Sequence, residues 1–262
     1  MEELLEFDDD TARRLEPLYL SGDVRRRRRI ATEALLPREG DRVADIGCGP
    51  GFHVSELADS VGAMGSVIGV DASGAMLAVA AQRNVDRHNV EFAEADATDL
   101  PIENASVDRV VAVQVYEYVG DVGAALSEAF RVLRPGGRLV VIDIDWTTVS
   151  WHSTDPDRMT DVLTAWDEHL VHRSLPRLLA GLLSEVGFVD VVTSGHAFVN
   201  TDAGPDAYSG LLIPLIADFV SDGDMPQDVV DEWRSDLGQL DAEDRYFFTV
   251  TKFCFTAIRP GG

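Results

Sequence analysis

The stretch Val43-Ala44-Asp45-Ile46-Gly47-Cys48-Gly49-Pro50-Gly51, running into Phe52, limits what this chain can fold into more than any other. An apolar run of strand length meets three glycines at every second position and passes into an amphipathic segment over 52–61. Glycine is needed where φ is positive and where a ligand must approach the backbone closely. The first turn of a helix presents N–H groups with no intrahelical partner. The unit therefore reads as strand, tight turn and helix, a cradle for a small polar ligand. Its spacing is Gly-x-Gly-x-Gly, whereas dinucleotide sites use Gly-x-Gly-x-x-Gly, which argues against a pyrophosphate.

The same alternation continues downstream. Strands are predicted at 42–46, 66–70, 90–93, 107–115 and 138–144, with helices at 52–61, 74–87 and 122–133. Strands rich in Val and Ile on both faces, separated by helices, require a parallel sheet covered on both sides. The fold class is α/β, doubly wound. Arg134-Pro135-Gly136-Gly137 reads as a helix end and tight turn. Beyond Ile144 the rhythm changes: helices over 157–173 and 175–186, a strand over 188–193 and a last strand over 246–258. The segment 200–244 is too long for a structureless loop and reads as helical insertion. The insertions 146–173 and 200–244 are expected to form a lid over the C-terminal edge of the sheet in a single domain spanning 1–262, with residues 1–40 as a helical cap, 41–145 as core and 245–258 as the last strand.

Two acids follow the glycine turn in the order a nucleoside ligand needs. Asp71 ends the second strand, where a carboxylate with acceptor oxygens alone can take both hydroxyls of a ribose. Asp96 follows the third, placed to accept from an exocyclic amine while the Ala97 amide donates to a ring nitrogen. In so acidic a chain both have a plainer reading as solvated loop acids.

Together VADIGCGPG, VIGVDAS, EADATDLPI and RVLRPGGRLVV resemble the class I, Rossmann-like S-adenosylmethionine-dependent methyltransferases, in the small-molecule branch that includes the ubiquinone and menaquinone C-methyltransferases. The resemblance spans roughly residues 10–145 and weakens after that. It implies a mostly parallel seven-stranded sheet and S-adenosyl-L-methionine as cofactor. It also implies Gly47, Gly49 and Gly51 around the methionyl part, Asp71 and Ala72 at the ribose, and Asp96 with Ala97 at the adenine. Asp45 would orient the glycine loop or reach the amino group through water, Met76 would pack on the adenine, and Gln114 would pass the methionyl group. Tyr19 and Arg25 or Arg26, with Arg26 preferred, match the capping helix, where an arginine pairs with the cofactor carboxylate. Met76 has an equally good reading as core, and Cys48 reads as a small loop residue rather than a nucleophile.

The implied activity is methyl transfer to a small-molecule acceptor by in-line displacement. Alternatives are a non-catalytic S-adenosylmethionine-binding regulatory or scaffold module and a nicotinamide-dependent oxidoreductase. Acceptor-side candidates follow strands four and five: Tyr116, Glu117 and Asp145 as acid/base groups, with Trp146 and Trp151 as an aromatic wall. His152 is a further candidate base, while His169 and His172 at i, i+3 read as packing or surface residues. The apolar run Leu211–Ile216 suits either an apolar acceptor or a buried lid helix.

Composition narrows the partners. The 262 residues carry 22 Lys+Arg against 46 Asp+Glu, a formal charge of −24. Thirty of the acids are Asp, and Lys252 is the single Lys. A carboxylate-dense surface suits a salt-rich cytoplasm, with the codon bias of a GC-rich genome as the competing source. Such charge opposes nucleic-acid binding, and the run Arg25–Arg29 lacks the interleaved aromatics that would favour it. No apolar run is long enough to cross a bilayer and the acidic start is unlike a secretory signal, so a cytoplasmic monomer or homodimer is expected. Two distant cysteines suggest neither a disulfide framework nor a metal site.

Overall fold

The structure is a computed structural model and describes residues 18–261; residues 1–17 of the expected cap lie outside the described residues. The first described full helix, α1 (Gly22–Leu35), leads into β1 (Arg42–Ile46), α2 (Phe52–Val61), β2 (Ser66–Asp71), α3 (Gly74–Arg83) and β3 (Val90–Glu94). Then come β4 (Val107–Val113), α4 (Val122–Val132), β5 (Leu133–Trp151), α5 (Pro156–Trp166), α6 (Pro176–Val186) and β6 (Val189–Asn200). Helices α7 (Tyr208–Asp222) and α8 (Gln227–Ala242) precede β7 (Phe248–Ile258).

The seven strands form one sheet in the order β3-β2-β1-β4-β5-β7-β6. All neighbours pair in parallel except β7, which is antiparallel to both β5 and β6. The chain order reverses between β1 and β4, and in open α/β sheets ligands bind in the crevice beyond the strand ends at such a switch point. Buried Val, Ile and Leu from both faces explain the parallel pairing. One face packs with α4 and α6 around Val110, Leu126, Leu139, Val141 and Leu179. The other packs with α1 and α2 around Leu35, Val54, Leu57, Val111 and Ile142.

Local chemistry fixes the helix starts. Ser21, Ser73, Asp121 and Asp155 cap α1, α3, α4 and α5, each side chain accepting from a backbone N–H three residues on. Helix α3 stops at Arg83 rather than continuing to 87, because the Asn84 side chain donates to the Ala80 carbonyl at 2.9 Å and competes with the helical pattern.

The largest departures from expectation lie in the second half. Strand β5 covers 19 residues, taking in Arg134–Gly137 and the first part of the expected insertion. Gly136 N–H donates to Arg259 O and Arg259 N–H to Gly137 O, so the last strand draws the turn into its ladder. Strand β6 likewise runs to Asn200, because β7 offers it partners as far as Phe248. The helix expected over 157–173 ends at Trp166 and passes through a 3₁₀ turn at Asp167–His169. Helices α5, α7 and α8 pack on the projecting ends of β5, β6 and β7, in one cluster holding Trp146, Trp151, Trp166, Phe198, Ile216, Trp233 and Phe248.

Candidate functional site

The turn after β1 is built as its glycines require. Gly47, Gly49 and Gly51 have φ of 65°, 51° and 77°. A Cβ on Gly47 would collide with the Val115 side chain, and one on Gly51 would lie 2.8 Å from Ala80 Cβ, so the turn is pressed between β4's exit and α3. A Cβ on Gly49 would stand 3.3 Å from the Tyr19 hydroxyl. The Tyr19 ring also stacks on Phe52 at 5.9 Å, and burial pushes its phenol up to about 12.

Asp71 closes the cradle from the neighbouring strand. Its Oδ2 accepts from Gly49 N–H at 2.8 Å and its Oδ1 from Ser73 N–H at 2.9 Å. Burial raises its carboxyl above the usual range, with the Ser73 and Gly49 hydrogen bonds pulling the other way. Ala72 beside it is exposed. Met76 is buried against Leu18, Tyr19, Val79 and Leu215, so α7 from the second insertion reaches the helix that follows Asp71. Asp96 is exposed, its Oδ1 held by Thr98 N–H at 2.8 Å and Thr98 Oγ1 at 2.6 Å, and Ala97 is buried at the edge of the main core.

Asp45 lies beneath the turn. Its Oδ2 is 3.8 Å from His53 Nδ1, too far for a hydrogen bond, and both atoms are buried without another partner among the described residues. Burial, then the charges of Asp71 and Glu56, push Asp45 up to about 8; burial takes His53 down to about 3. The Cys48 thiol is also driven upward by burial, the opposite of what a nucleophile needs.

Across the switch point, Gln114 has φ +56°, a strained conformation for a residue with a side chain. Its N–H donates to Ile142 O, its Nε2 donates to Glu117 Oε1 at 3.3 Å, and its Oε1 is buried without a partner among the described residues. Glu117 is fully buried, and its Oε2 accepts from Ile144 N–H at 3.2 Å and Trp146 Nε1 at 3.3 Å. Asp143 stands close by: Oδ1 accepts from Val115 N–H at 3.2 Å and Oδ2 is unpartnered. Burial raises both carboxyls, and the charge of Glu117 is a further reason for Asp143 not to ionise.

Four expected site residues stand elsewhere. Arg26 donates to Ala197 O at 3.1 Å and covers the Phe198 ring on the β6 side, rather than facing the glycine turn. Asp145 is held by Arg177 Nε at 2.8 Å and by Thr147, so its oxygens are committed to structure. Tyr116 is buried in the core under α4 and α6, its hydroxyl without a partner and its phenol raised by burial. His152 follows Trp151, which pairs with Phe248, five residues along β7 from the partner of Asp143. That is about 17 Å at roughly 3.4 Å per residue, beyond reach of the Glu117 cluster. His152 lines a separate open cleft with Trp151, Met159, Leu163 and Phe247.

The arginines that turn inward are the neighbours of Arg26. Val24, Arg27, Arg28, Ala31 and Leu35 are the buried positions of α1, at the spacing of one helical face. Arg28 donates to Tyr19 O at 2.7 Å and to Glu56 at 2.9 Å, fastening the Tyr19 segment to α2. Arg27 is buried with its Nε unpartnered among the described residues, in the field of Tyr208, Tyr19 and Glu117. The helical spacing carried this signal, since an inward stripe through Val24 and Ala31 has to include Arg27 and Arg28.

Residues 44–141, the span that holds this crevice, match the family described as methyltransferase domain. The sheet adds the antiparallel β7 between β5 and β6, which the dinucleotide-binding order 3-2-1-4-5-6 lacks. Residues 44–141 are thus similar to methyltransferase domains, on a Rossmann-like α/β sheet. It is 35% identical over 179 residues to a 37.1 kDa protein of transposon Tn4556 from Streptomyces fradiae, matching 66% of this chain and 51% of that protein. It is 35% identical over 122 residues to demethylmenaquinone methyltransferase from Staphylococcus saprophyticus, matching 47% of this chain and 52% of that one. The chain thus spans about half the length of these relatives. Among solved structures, phosphoethanolamine N-methyltransferase 2 of Haemonchus contortus, in complex with phosphomonomethylethanolamine and S-adenosylhomocysteine, superposes with a TM-score of 0.63 at 20% identity. That match covers 96% of this chain and 57% of the other, and it shows a shared fold.

Proposed function

We propose that this chain is an S-adenosylmethionine-dependent methyltransferase acting on a small-molecule acceptor. The observation that carries the reading is the meeting of the glycine turn and the β2 carboxylate at the switch point, joined by Gly49 N–H to Asp71 and roofed by Tyr19. The match to the methyltransferase-domain family and the demethylmenaquinone methyltransferase relatives supports it.

The residues fit such a cofactor. The turn leaves no room for side chains, Asp71 keeps further lone pairs for hydroxyls, and Arg27 holds a buried donor with no acceptor among the described residues. Arg27, not Arg26, is assigned to the cofactor's carboxylate; Asp96 and Ala97 are assigned to the base and Met76 to packing against it. The cofactor supplies a methyl group on a sulfonium, which leaves as a neutral thioether after in-line displacement. The protein's part is alignment and exclusion of water, worth up to about 7 to 11 kcal/mol in well-oriented systems. Leu215 packed against Met76 supports α7 as a lid that excludes water. The run Leu211–Ile216 is used in that packing: Leu212 and Ile216 are buried in the lid cluster, with Ile213 and Leu215 against it.

Calorimetry with S-adenosylhomocysteine and with NAD, paired with labelled methyl transfer into a small-molecule cell extract, tests the reading. Binding of S-adenosylhomocysteine in preference to NAD, with label transferred, is expected. Tighter binding of NAD would reverse the assignment, and binding without transfer would indicate a regulatory module. Asp71→Asn should weaken S-adenosylhomocysteine by at least tenfold. Because Asp71 also bonds Gly49 and Ser73, the variant should also lose about 1 to 3 kcal/mol of stability. Unchanged affinity would remove Asp71 from the site.

A further inference from the structure

The single lysine of the chain is one of its most buried side chains. Lys252 is 1% exposed and its Nζ has no hydrogen-bond partner among the described residues. It lies 3.8 Å from the centre of the Tyr208 ring and 4.6 Å from that of Phe198. On β7 it pairs with Ile144 of β5 and His196 of β6, level with the Glu117 bond to Ile144 N–H and so at the functional edge of the sheet. Burying an amine without an acceptor is costly unless something else is to meet it.

We infer that Lys252 Nζ serves the acceptor half of the site, as the base that takes the proton an O–H, N–H or acidic C–H acceptor loses on methylation. This rests on the methyltransferase reading above. In the step, the acceptor's electron pair forms the new bond to the methyl carbon while the carbon–sulfur pair stays on sulfur, giving the thioether. The acceptor proton moves to the lysine lone pair, giving an ammonium. The positive charge passes from sulfonium to Lys252, over two aromatic faces that favour a cation.

The surroundings hold the amine ready for this. Facing it are Asp23, Arg26 and Arg27 from α1, Glu117 after β4, His196 from β6 and Tyr208 from α7. Burial first, then Arg27, lowers its pKa well below that of an ordinary lysine, despite Asp23 and Glu117. Asp23 is occupied in turn, accepting from Asn200 Nδ2 at 2.7 Å and Tyr208 N–H at 3.1 Å. Glu117 already accepts from three donors, whereas a neutral Lys252 has an uncommitted lone pair.

Because the chain has one lysine, lysine labelled with carbon-13 gives a single side-chain resonance to titrate in the free protein. A midpoint below the ordinary lysine range is expected; one at about 10.4, the free-amine value, overturns the inference. Lys252→Met removes the amine and keeps an apolar chain of similar length. Its label transfer into the extract should fall at least 100-fold, with S-adenosylhomocysteine affinity within twofold of the parent. Transfer within threefold of the parent, a parallel loss of cofactor affinity, or a parent that binds cofactor and transfers no label each overturns the role. A parent that fails to bind S-adenosylhomocysteine instead defeats the methyltransferase reading, which the lysine resonance does not report on.

Discussion

Gly51 shows how a backbone position can be set by its neighbour as much as by its ligand. At φ +77°, with Ala80 Cβ 2.8 Å from where a side chain would begin, Gly51→Ala adds both a left-handed penalty and an overpacked contact. The two together should cost about 2 to 4 kcal/mol in urea unfolding; a loss under about 0.5 kcal/mol would mean that α3 yields. Beneath the same turn, Asp45 and His53 set a pH dependence with a definite sign. With its folded pKa raised to about 8, Asp45 binds more protons folded than unfolded, so its contribution to stability is full below its ordinary range and is lost as pH rises towards 8. His53, lowered to about 3, acts in the opposite sense: its contribution is present above its unfolded value near 6.5 and is lost as pH falls. Between about pH 6.5 and 8 the contribution of this pair comes from Asp45, at up to roughly 1.4 kcal/mol per pH unit. Asp45→Asn should flatten stability across that window, measured by denaturant titration at successive pH values, and an unchanged slope would place the dependence elsewhere.

Among the elements, α7 and β7 do most to turn a sheet edge into a site. Helix α7 lays Leu215 on Met76, linking a segment that begins at residue 208 to the helix that follows residue 71. Leu215→Ser removes apolar contact without touching a hydrogen bond, and should release S-adenosylhomocysteine about fivefold faster, near 1 kcal/mol of lost burial. Stopped-flow dissociation reads this directly; an unchanged rate would show that the lid does not bear on the cofactor. Strand β7 explains where the sequence reading fell short. Its long pairing with β5 and β6 extends both well past their propensity-based limits, because a neighbour's hydrogen bonds, absent from any local window, decide where a strand stops. Even so, Phe248, Val250, Lys252 and Cys254 alternate onto the buried face, and a lone cation in that pattern was visible in the sequence.

At the scale of the molecule, a formal charge of −24 means that unfolding relieves self-repulsion which salt would otherwise screen. The Debye length falls from about 10 Å at 0.1 M to about 3 Å at 1 M. The melting temperature should therefore rise by several degrees between 0.1 and 2 M KCl, followed by circular dichroism, and a flat or falling curve would show that the acidic surface carries no net stress. The sequence by itself determined the strand-glycine-helix unit, the α/β class and the order of Asp71 and Asp96, because these depend on local φ requirements and on short periodicities. It also marked Glu117 as a polar residue just past a strand. Only the tertiary structure decided what the inward Arg27 and Arg28 meet, that Asp145 is held by Arg177, that His152 stands far along the sheet, and that Lys252 is buried beside Glu117. Those outcomes depend on contacts between residues as distant in sequence as 27 and 208, or 117 and 252, and burial makes or spares a charge only once such partners have met.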